Sequence, residues 1–340
     1  MHDVETIASL PLPWYQLSHK RVLITGAGGI SSFLAHVLMY RILQYGDDIH
    51  VMIMTRNVEK AMKKFAAYEH RSEFALIQHD VTEPITEKIS ASIIFHCASN
   101  THPLEYAEDP IGTITTNVMG TYYLLEMDNP FLERFIFLSS VEIYGEARTE
   151  KKFSEKDFGY IDCNTLRAGY PESKRLSEAL CQAYIHKKGY NIAIARPCRL
   201  YGYNEPDDSK ATSQFIRSAK NREDIVLKSK GDQLYSFLYL PDCVSALLYI
   251  LFFAKSGEAY NIADEKSDIT LYEFANIAAR LAGTKVIYGT PSITEKQGFS
   301  VVKNALLDAN KLKYLGWAPS FSIEEGIKNA ILLANNYYEF

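Results

Sequence analysis

The 340-residue sequence predicts an α/β fold, a doubly wound parallel sheet with a smaller α/β lobe toward the C-terminus. Three observations predict it. Short apolar runs alternate with stretches of helical apolar spacing, the pattern of βαβ crossovers. The runs are nearly continuous in apolar residues, as strands are when helices cover both faces. After Pro197 the pattern loosens into shorter elements.

In chain order, residues 1–20 carry Pro11, Pro13 and Trp14 and read as an extension, a short helix and a loop packed on the domain. Arg21–Thr25 is a strand, and Ile30–Tyr45 has helical spacing. Ile49–Thr55 is a strand and Val58–His70 a helix. Phe74–His79 and Ala91–Cys97 are strands, Ile111–Met127 a helix, and Arg134–Ser139 a strand. Pro171–Lys188 is a helix that leads into the strand Asn191–Arg196. Residues 201–212 are polar and turn-rich. Helices are expected near 212–220, 241–254, 271–283 and 323–336, and strands near 225–228, 234–239 and 259–263. This divides the chain into an extension (1–20), a dinucleotide-binding domain (21–197, with a return segment near 241–263) and a substrate lobe (198–340) interleaved with it.

Composition sets limits. Apolar residues make up 47% and charged residues 23%, ample for a core. A net charge of −5 gives no reason to expect nucleic acid or an anionic membrane as partner. The longest apolar run, Val244–Ala254, falls far short of the ~20 residues of a membrane helix. Residues 1–20 lack a basic start followed by an apolar run, so a cytoplasmic location is expected. The five cysteines, Cys97, Cys163, Cys181, Cys198 and Cys243, have neither zinc nor CxxC spacing and read as buried free thiols, with no metal site.

The first strand runs into Gly26-Ala-Gly28-Gly29-Ile30-Ser-Ser32 at the start of the first helix. A tight glycine turn lets backbone approach a pyrophosphate, and the helix N-terminus offers free N–H groups and a positive dipole end. Serine stands where a third glycine packs helix on strand. This is the Rossmann-type arrangement. At the end of the second strand a carboxylate would bind the adenosine ribose hydroxyls. The chain has Thr55-Arg56-Asn57 instead, and Arg56 suits a 2′-phosphate. Equally, Arg56 can be a solvated surface arginine; the expected cofactor is NAD, with NADP possible. Asp80 follows the third strand, where it can touch adenine or cap a turn.

Tyr170-Pro-Glu-Ser-Lys174 carries the chemistry. Residues i and i+4 share a helix face. An ammonium beside a phenol favours the phenolate and lowers the tyrosine from its reference near ~10. Such a tyrosine can take an alcohol proton while hydride leaves the carbon. Lys174 can also hold the nicotinamide ribose. Ser140 and Glu142 follow the fifth strand at the carboxyl edge of the sheet. Ser140 is placed to hydrogen-bond the reacting oxygen, and Glu142 is a second candidate acid/base.

With these residues the chain resembles the extended short-chain dehydrogenase/reductases, in their nucleotide-sugar branch, over roughly residues 20 to 330. Further segments carry the likeness: His79–Pro84, Phe95–Ser99, Asn117–Thr121, Ala195–Pro197, Tyr260–Ala263 and Leu315–Pro319. Within the family it is most similar to UDP-glucuronate decarboxylases, through Ser140-Val-Glu142 and Arg167-Ala-Gly-Tyr170. The resemblance implies Ser140, Tyr170 and Lys174 as catalytic triad, with Glu142 where decarboxylases and 4,6-dehydratases keep a glutamate. It adds Val81, Ala98, Ser99, Asn117 and Pro197 to the cofactor wall, and Thr101 and Tyr235 to the substrate wall. It also implies a homodimer joined through helices near 113–127 and 171–187.

The implied reaction forms a C4 ketone, β to a C5 carboxylate, that loses CO2. With a C6 hydroxyl instead, Glu142 would assist loss of water, and C4 epimerisation is a third outcome. The likeness departs on the substrate side. Tyr235 replaces the family's diphosphate-gripping arginine, Arg199 replaces a frequent asparagine, and no basic residue stands shortly before Asp308. A diphosphate needs several charge-assisted contacts, which Arg199, Lys210 and Arg217 are expected to supply. Two other readings remain: an NADPH-dependent ketone reductase, and a non-catalytic dinucleotide sensor. The complete Ser140, Tyr170, Lys174 set argues against the sensor.

Overall fold

The computed structural model describes residues 1–100, 108–146, 151–202, 210–291 and 304–333. Its strands are β1 (Lys20–Thr25), β2 (Ile49–Thr55), β3 (Phe74–Gln78), β4 (Ile93–His96), β5 (Arg134–Leu138), β6 (Ile192–Pro197), β7 (Arg199–Tyr201), β8 (Ile225–Leu227), β9 (Leu234–Tyr239), β10 (Ala259–Ile262), β11 (Asp268–Thr270), β12 (Val286–Tyr288) and β13 (Asn304–Ala305). The α-helices are α1 (His2–Ala8), α2 (Gly29–Tyr40), α3 (Val58–Phe65), α4 (Pro110–Glu126), α5 (Gly169–Lys188), α6 (Ala211–Lys220), α7 (Leu240–Phe253), α8 (Leu271–Ala282), α9 (Asn310–Lys313) and α10 (Ile323–Leu333).

Seven strands form one parallel sheet in the order β10-β6-β5-β4-β1-β2-β3. Alternate residues of each central strand feed two separate cores. Val22, Ile24, Ile93 and Phe95 pack on one face, and Leu23, Ile94, Phe135 and Phe137 on the other. Each such side chain, removed from water, contributes roughly 1.5–3 kcal/mol. Strand order reverses between β1 and β4, and the crevice outside the strands' carboxyl ends at such a point is where ligands bind. The return of the chain through α7 and β10 adds the seventh strand beside β6.

The C-terminal elements form two small sheets. β9 is the hub of one: it pairs antiparallel with β11 and parallel with β7 and β13. β8 and β12 make a parallel pair. The sequence reading anticipated β8 but none of β7, β11, β12 or β13, strands of two or three residues. The N-terminal helix α1 packs on α2 and α7. Its buried Asp3 accepts from Tyr239 Oη (2.6 Å) and Asn329 Nδ2 (3.0 Å), which ties the extension to β9 and α10.

Two expectations are corrected. The helical stretch 30–45 is α-helix only to Tyr40, then a wider π-type turn that stops at Gly46, φ +72°. The cysteines are free, but Cys163 is exposed and Cys97 only partly buried. Cys163 sits in a polar loop whose turn is made by Asp162, Asn164 and Thr165, so no apolar face draws it inward.

Candidate active site

At the end of β1 the chain turns through Gly26, φ +83°, whose N–H donates to Met54 O at 2.8 Å. A Cβ there would stand 3.3 Å from the Ala98 backbone in a conformation L-residues avoid, so the turn requires glycine. A Cβ on Gly28, the cap of α2, would meet nothing within 4 Å. The first turn of α2 thus faces open space with its N–H groups and positive dipole end.

Thr25 Oγ1 accepts from the N–H groups of Cys97 (3.1 Å) and Ala98 (3.0 Å) and contacts His96 Nδ1 (2.9 Å). It thereby locks the ends of β1 and β4 around the turn. Burial pulls His96 down to about 3, so the ring is neutral. Ser32, at the third glycine position, donates to Ala27 O (3.1 Å), and Lys64 Nζ donates to the same oxygen (2.6 Å). The hydroxyl therefore stitches the turn that a glycine would only pack. This backbone cradle fits a dinucleotide pyrophosphate.

A cavity of about 850 Å³ opens from the turn along the sheet's carboxyl edge. Gly26, Gly28, Gly29, Ile30, Thr55, Arg56, Asp80, Val81, Ala98 and Ser99 line it, as do Ser140, Glu142, Tyr170, Lys174, Pro197, Arg199, Lys210 and Tyr235. Two predicted residues do not line it. Asn117 is fully buried between α4 and α5. Its Nδ2 donates to Ser173 Oγ (2.8 Å) and its Oδ1 accepts from Ser99 Oγ (2.7 Å), so it braces the wall from behind. Arg217 is half-buried on α6, one turn beyond the buried Ser213 and the cavity-lining Gln214. Thr101 lies outside the described residues.

Tyr170 and Lys174 sit one turn apart at the start of α5, 5% and 1% exposed. Pro171 in the first turn suits a helix start, where its missing N–H is no loss. Lys174 Nζ donates to Leu138 O, the last carbonyl of β5, at 2.8 Å. It lies 5.1 Å from the Phe137 ring centre and 6.0 Å from that of Tyr170. Burial pulls the ammonium down to about 8. A cation is therefore anchored against the sheet beside the phenol ring.

Ser140 caps the short 3-10 turn Val141–Tyr144, its Oγ accepting from Glu142 N at 3.2 Å. The Glu142 carboxylate lies between two guanidinium groups, Arg167 at 3.3 Å and Arg199 at 3.5 Å. The Arg199 guanidinium stacks 3.5 Å above the centre of the Tyr235 ring. Reading the sequence assigned Arg167 no role. Its signal was its place three residues before Tyr170, one turn back toward the same cavity. Lys60, Lys64, Lys228 and Gln233 also line the cavity without having been singled out.

Behind this wall runs a buried network. Glu178 accepts from Ser139 Oγ (2.5 Å) and pairs with Arg196 (2.6 Å). Arg196 donates to Tyr144 Oη (2.9 Å), which donates to Asn261 Oδ1 (2.6 Å). The end of β5, the Ser140 turn, α5 and β10 are thus held in one register. Breaking a buried pair by removing one partner costs about 3–5 kcal/mol.

A glycine turn at the first strand, a topological switch point above it, and a tyrosine–lysine pair one turn apart define a dinucleotide-binding fold built for carbinol chemistry. The chain belongs to the NAD dependent epimerase/dehydratase family, whose model matches residues 22–263. It is 30% identical over 318 residues to UDP-glucuronic acid decarboxylase 1 of Xenopus tropicalis, covering 92% of this chain and 71% of that one. Among solved structures it resembles the dTDP-glucose 4,6-dehydratase DesIV of Streptomyces venezuelae, with NAD and TYD bound. The TM-score is 0.76 and the identity 21%, over 92% of this chain and 96% of that one. It also resembles the UDP-glucuronic acid 4-epimerase of Bacillus cereus, in complex with UDP-glucuronic acid and NAD. There the TM-score is 0.75 and the identity 21%, over 92% and 98% of the two chains.

Proposed function

We infer that the chain is a nucleotide-sugar decarboxylase that works through a C4 ketone, with UDP-glucuronate as the first substrate to test. The observation that carries the reading is the convergence of Ser140, Glu142, Tyr170 and Lys174 on one cavity that begins at the glycine turn. The decarboxylase relative supports the choice of reaction.

A nicotinamide ring bound beyond the turn supplies a hydride acceptor and later the same hydride. The chain's residues do the rest. Tyr170, with the Lys174 charge beside it, takes the C4 hydroxyl proton, and Ser140 holds the C4 oxygen. The resulting ketone is β to the C5 carboxylate, so the C5–C6 bond breaks and CO2 leaves with its electrons delocalised onto the C4 oxygen. C5 then takes up a proton from water in place of the lost CO2, the hydride goes back to C4, and Tyr170 returns its proton to the C4 oxygen at the end of the cycle. Arg199 and Lys210 are assigned to the diphosphate, Arg199 supplying from β7 the guanidinium that position 235 does not.

With UDP-glucuronate labelled with carbon-13 at C6, the expected result is labelled CO2, a UDP-pentose by NMR, and no net change in dinucleotide absorbance. Loss of water from a 6-hydroxy nucleotide sugar, with no CO2 from the acid, would replace this reading with the dehydratase one. Stoichiometric consumption of NADPH would replace it with a ketone reductase, which Thr55-Arg56 favours.

The same reading makes the protein a lyase of the cytoplasm, where sugar nucleotides are made. No described helix is long and apolar enough to cross a membrane. It also makes the protein a homodimer. α4 and α5 pack on each other and leave Ile111, Ile114, Tyr122 and Leu176 exposed, which a second copy of the pair would cover as a four-helix bundle. Light scattering of the purified chain reads the mass directly.

A further inference from the structure

We propose that Glu178 is a positioning residue for the reaction: from behind the cavity wall its carboxylate holds on Lys174 the charge that Tyr170 needs to take a proton. The inference rests on the reading of Tyr170 as proton acceptor, and one of its two readouts is independent of turnover.

Tyr170, Lys174 and Glu178 follow one another at four-residue spacing on α5 and so share one stripe of the helix. All three are buried. Lys174 Nζ donates to Leu138 O at 2.8 Å, and the next residue, Ser139, donates from Oγ to Glu178 Oε1 at 2.5 Å. The lysine and the glutamate are thus fastened to consecutive residues at the end of β5. Arg196 grips both carboxylate oxygens from β6, Nε to Oε1 at 3.0 Å and Nη2 to Oε2 at 2.6 Å. This fixes the carboxylate one turn from the lysine. Ser139, Tyr170 and Lys174 line the cavity and Glu178 does not, so it acts on a substrate only through its neighbours.

A buried ammonium held by a carbonyl is a costly cation, and burial pulls Lys174 down to about 8. The groups around it decide whether it keeps its proton. His96 and Cys97 face it from the end of β4, Glu178 and Cys181 from α5, and the Phe137 ring from β5. α4, packed on α5, buries only uncharged side chains, among them Asn117 and Thr121. Burial first, and then the Lys174 charge, pulls His96 down to about 3 and keeps it neutral. Burial pushes the Cys97 thiol up to about 12 and the Cys181 thiol well above its ordinary value, so neither sulfur is an anion at neutral pH. Until Tyr170 ionises, Glu178 is therefore the group among these that brings negative charge to the ammonium. An opposite charge favours the charged form. Without it Lys174 gives up its proton at lower pH, and the phenol beside it loses the cation that acidifies it.

Two readouts test this. In cofactor-free protein made with carbon-13 lysine, the Lys174 NMR signal is assigned by its loss in Lys174→Met. It should titrate at about pH 8 in the wild type and about one unit lower, or more, in Glu178→Gln. Ser139→Ala removes a hydrogen bond but keeps the charge, and should leave the titration in place. Glu178→Asp should restore most of the shift. Turnover of UDP-glucuronate at saturating NAD+ should fall at alkaline pH as Lys174 loses its proton, and in Glu178→Gln that fall should begin at a pH lower by the same amount. Should an unpaired Arg196 keep Glu178→Gln from folding, Glu178→Gln with Arg196→Gln removes the pair together, which a fold tolerates better. The shift should persist there, because Glu178 is the member one turn from the lysine. An unchanged Lys174 titration in the folded variant overturns the role of Glu178 and leaves Tyr170 standing. A lysine that shifts while the pH profile of turnover stays put overturns the pairing of Lys174 with Tyr170. Absence of turnover with UDP-glucuronate counts against the proposed reaction, and the lysine titration still decides the role of Glu178.

Discussion

The two walls of the cavity are built by different means. The cofactor wall is made by strand ends of one sheet and the turns that leave them. Gly26, Thr55, Asp80 and Ala98 each follow or end a strand, and backbone hydrogen bonds from β1 to β2 and β4 place them. The wall proposed for the substrate is assembled from distant segments. Glu142 follows β5, Arg167 precedes α5, Arg199 lies on β7 and Tyr235 on β9; β7 and β9 pair through their backbones, and side chains join the rest. A wall made by backbone register tolerates substitution, as Ser32 shows by replacing glycine packing with a hydroxyl bond to Ala27 O. On the other wall the charged groups meet through side chains, as the stack of Arg199 on Tyr235 and the two Glu142 pairs show.

The sharpest way to break the comparison is at the residues where the walls meet. Tyr170→Phe keeps the ring and removes the proton acceptor. Turnover should fall by roughly 10²–10⁴, the range of general acid–base catalysis, with dinucleotide binding and melting temperature unchanged. Full activity in this variant would remove the proposed chemistry altogether.

Lys174→Met tests the anchored cation through stability. The lysine titrates at about 8 in the folded chain, against 10.5 as its ordinary value, because burial disfavours its charge. Between about pH 8 and 10.5 the unfolded chain binds more protons, so this contribution to stability rises with pH in that window. Below it a penalty of roughly 3 kcal/mol is constant. Urea unfolding of the cofactor-free protein should show the wild type gaining on Lys174→Met by about that amount from pH 8 to 10.5. Parallel curves for the two proteins would mean the ammonium is not desolvated.

The smallest effect separates two arginines. Arg199→Ala removes a cavity guanidinium and should raise KM for a nucleotide sugar by roughly 10–100-fold, the range of a hydrogen bond to a charged group, with kcat less affected. Arg217→Ala, off the cavity on α6, should leave KM within a factor of two. If the two variants behave alike, the substrate wall is not where Arg199 places it.

The legibility of the site follows the same divide. Tyr170 and Lys174 were readable because i and i+4 meet on any helix, and the glycine turn because only certain residues fit that backbone. Arg217 was expected at the cavity because the sequence shows its charge but not which residues of α6 line it. Asn117 was taken for a cofactor contact through the resemblance of its segment; its partners Ser99 and Ser173 come from other segments and bury it as a brace. Arg167 went unassigned because its partner Glu142 is 25 residues away and across a turn.

By itself the sequence determined the order of strands and helices, the parallel sheet, the glycine turn after the first strand and the tyrosine–lysine pair. All of these rest on local periodicity, backbone conformation or residue spacing within one element. Only the tertiary structure decided which charges face one another. It set Glu142 between Arg167 and Arg199, stacked Arg199 on Tyr235, left Arg217 off the cavity, and brought Arg56, Lys60 and Lys64 to one cavity. Electrostatic partnership depends on distance through space, and β7, β9 and α5 come together only once the chain has buried its two cores.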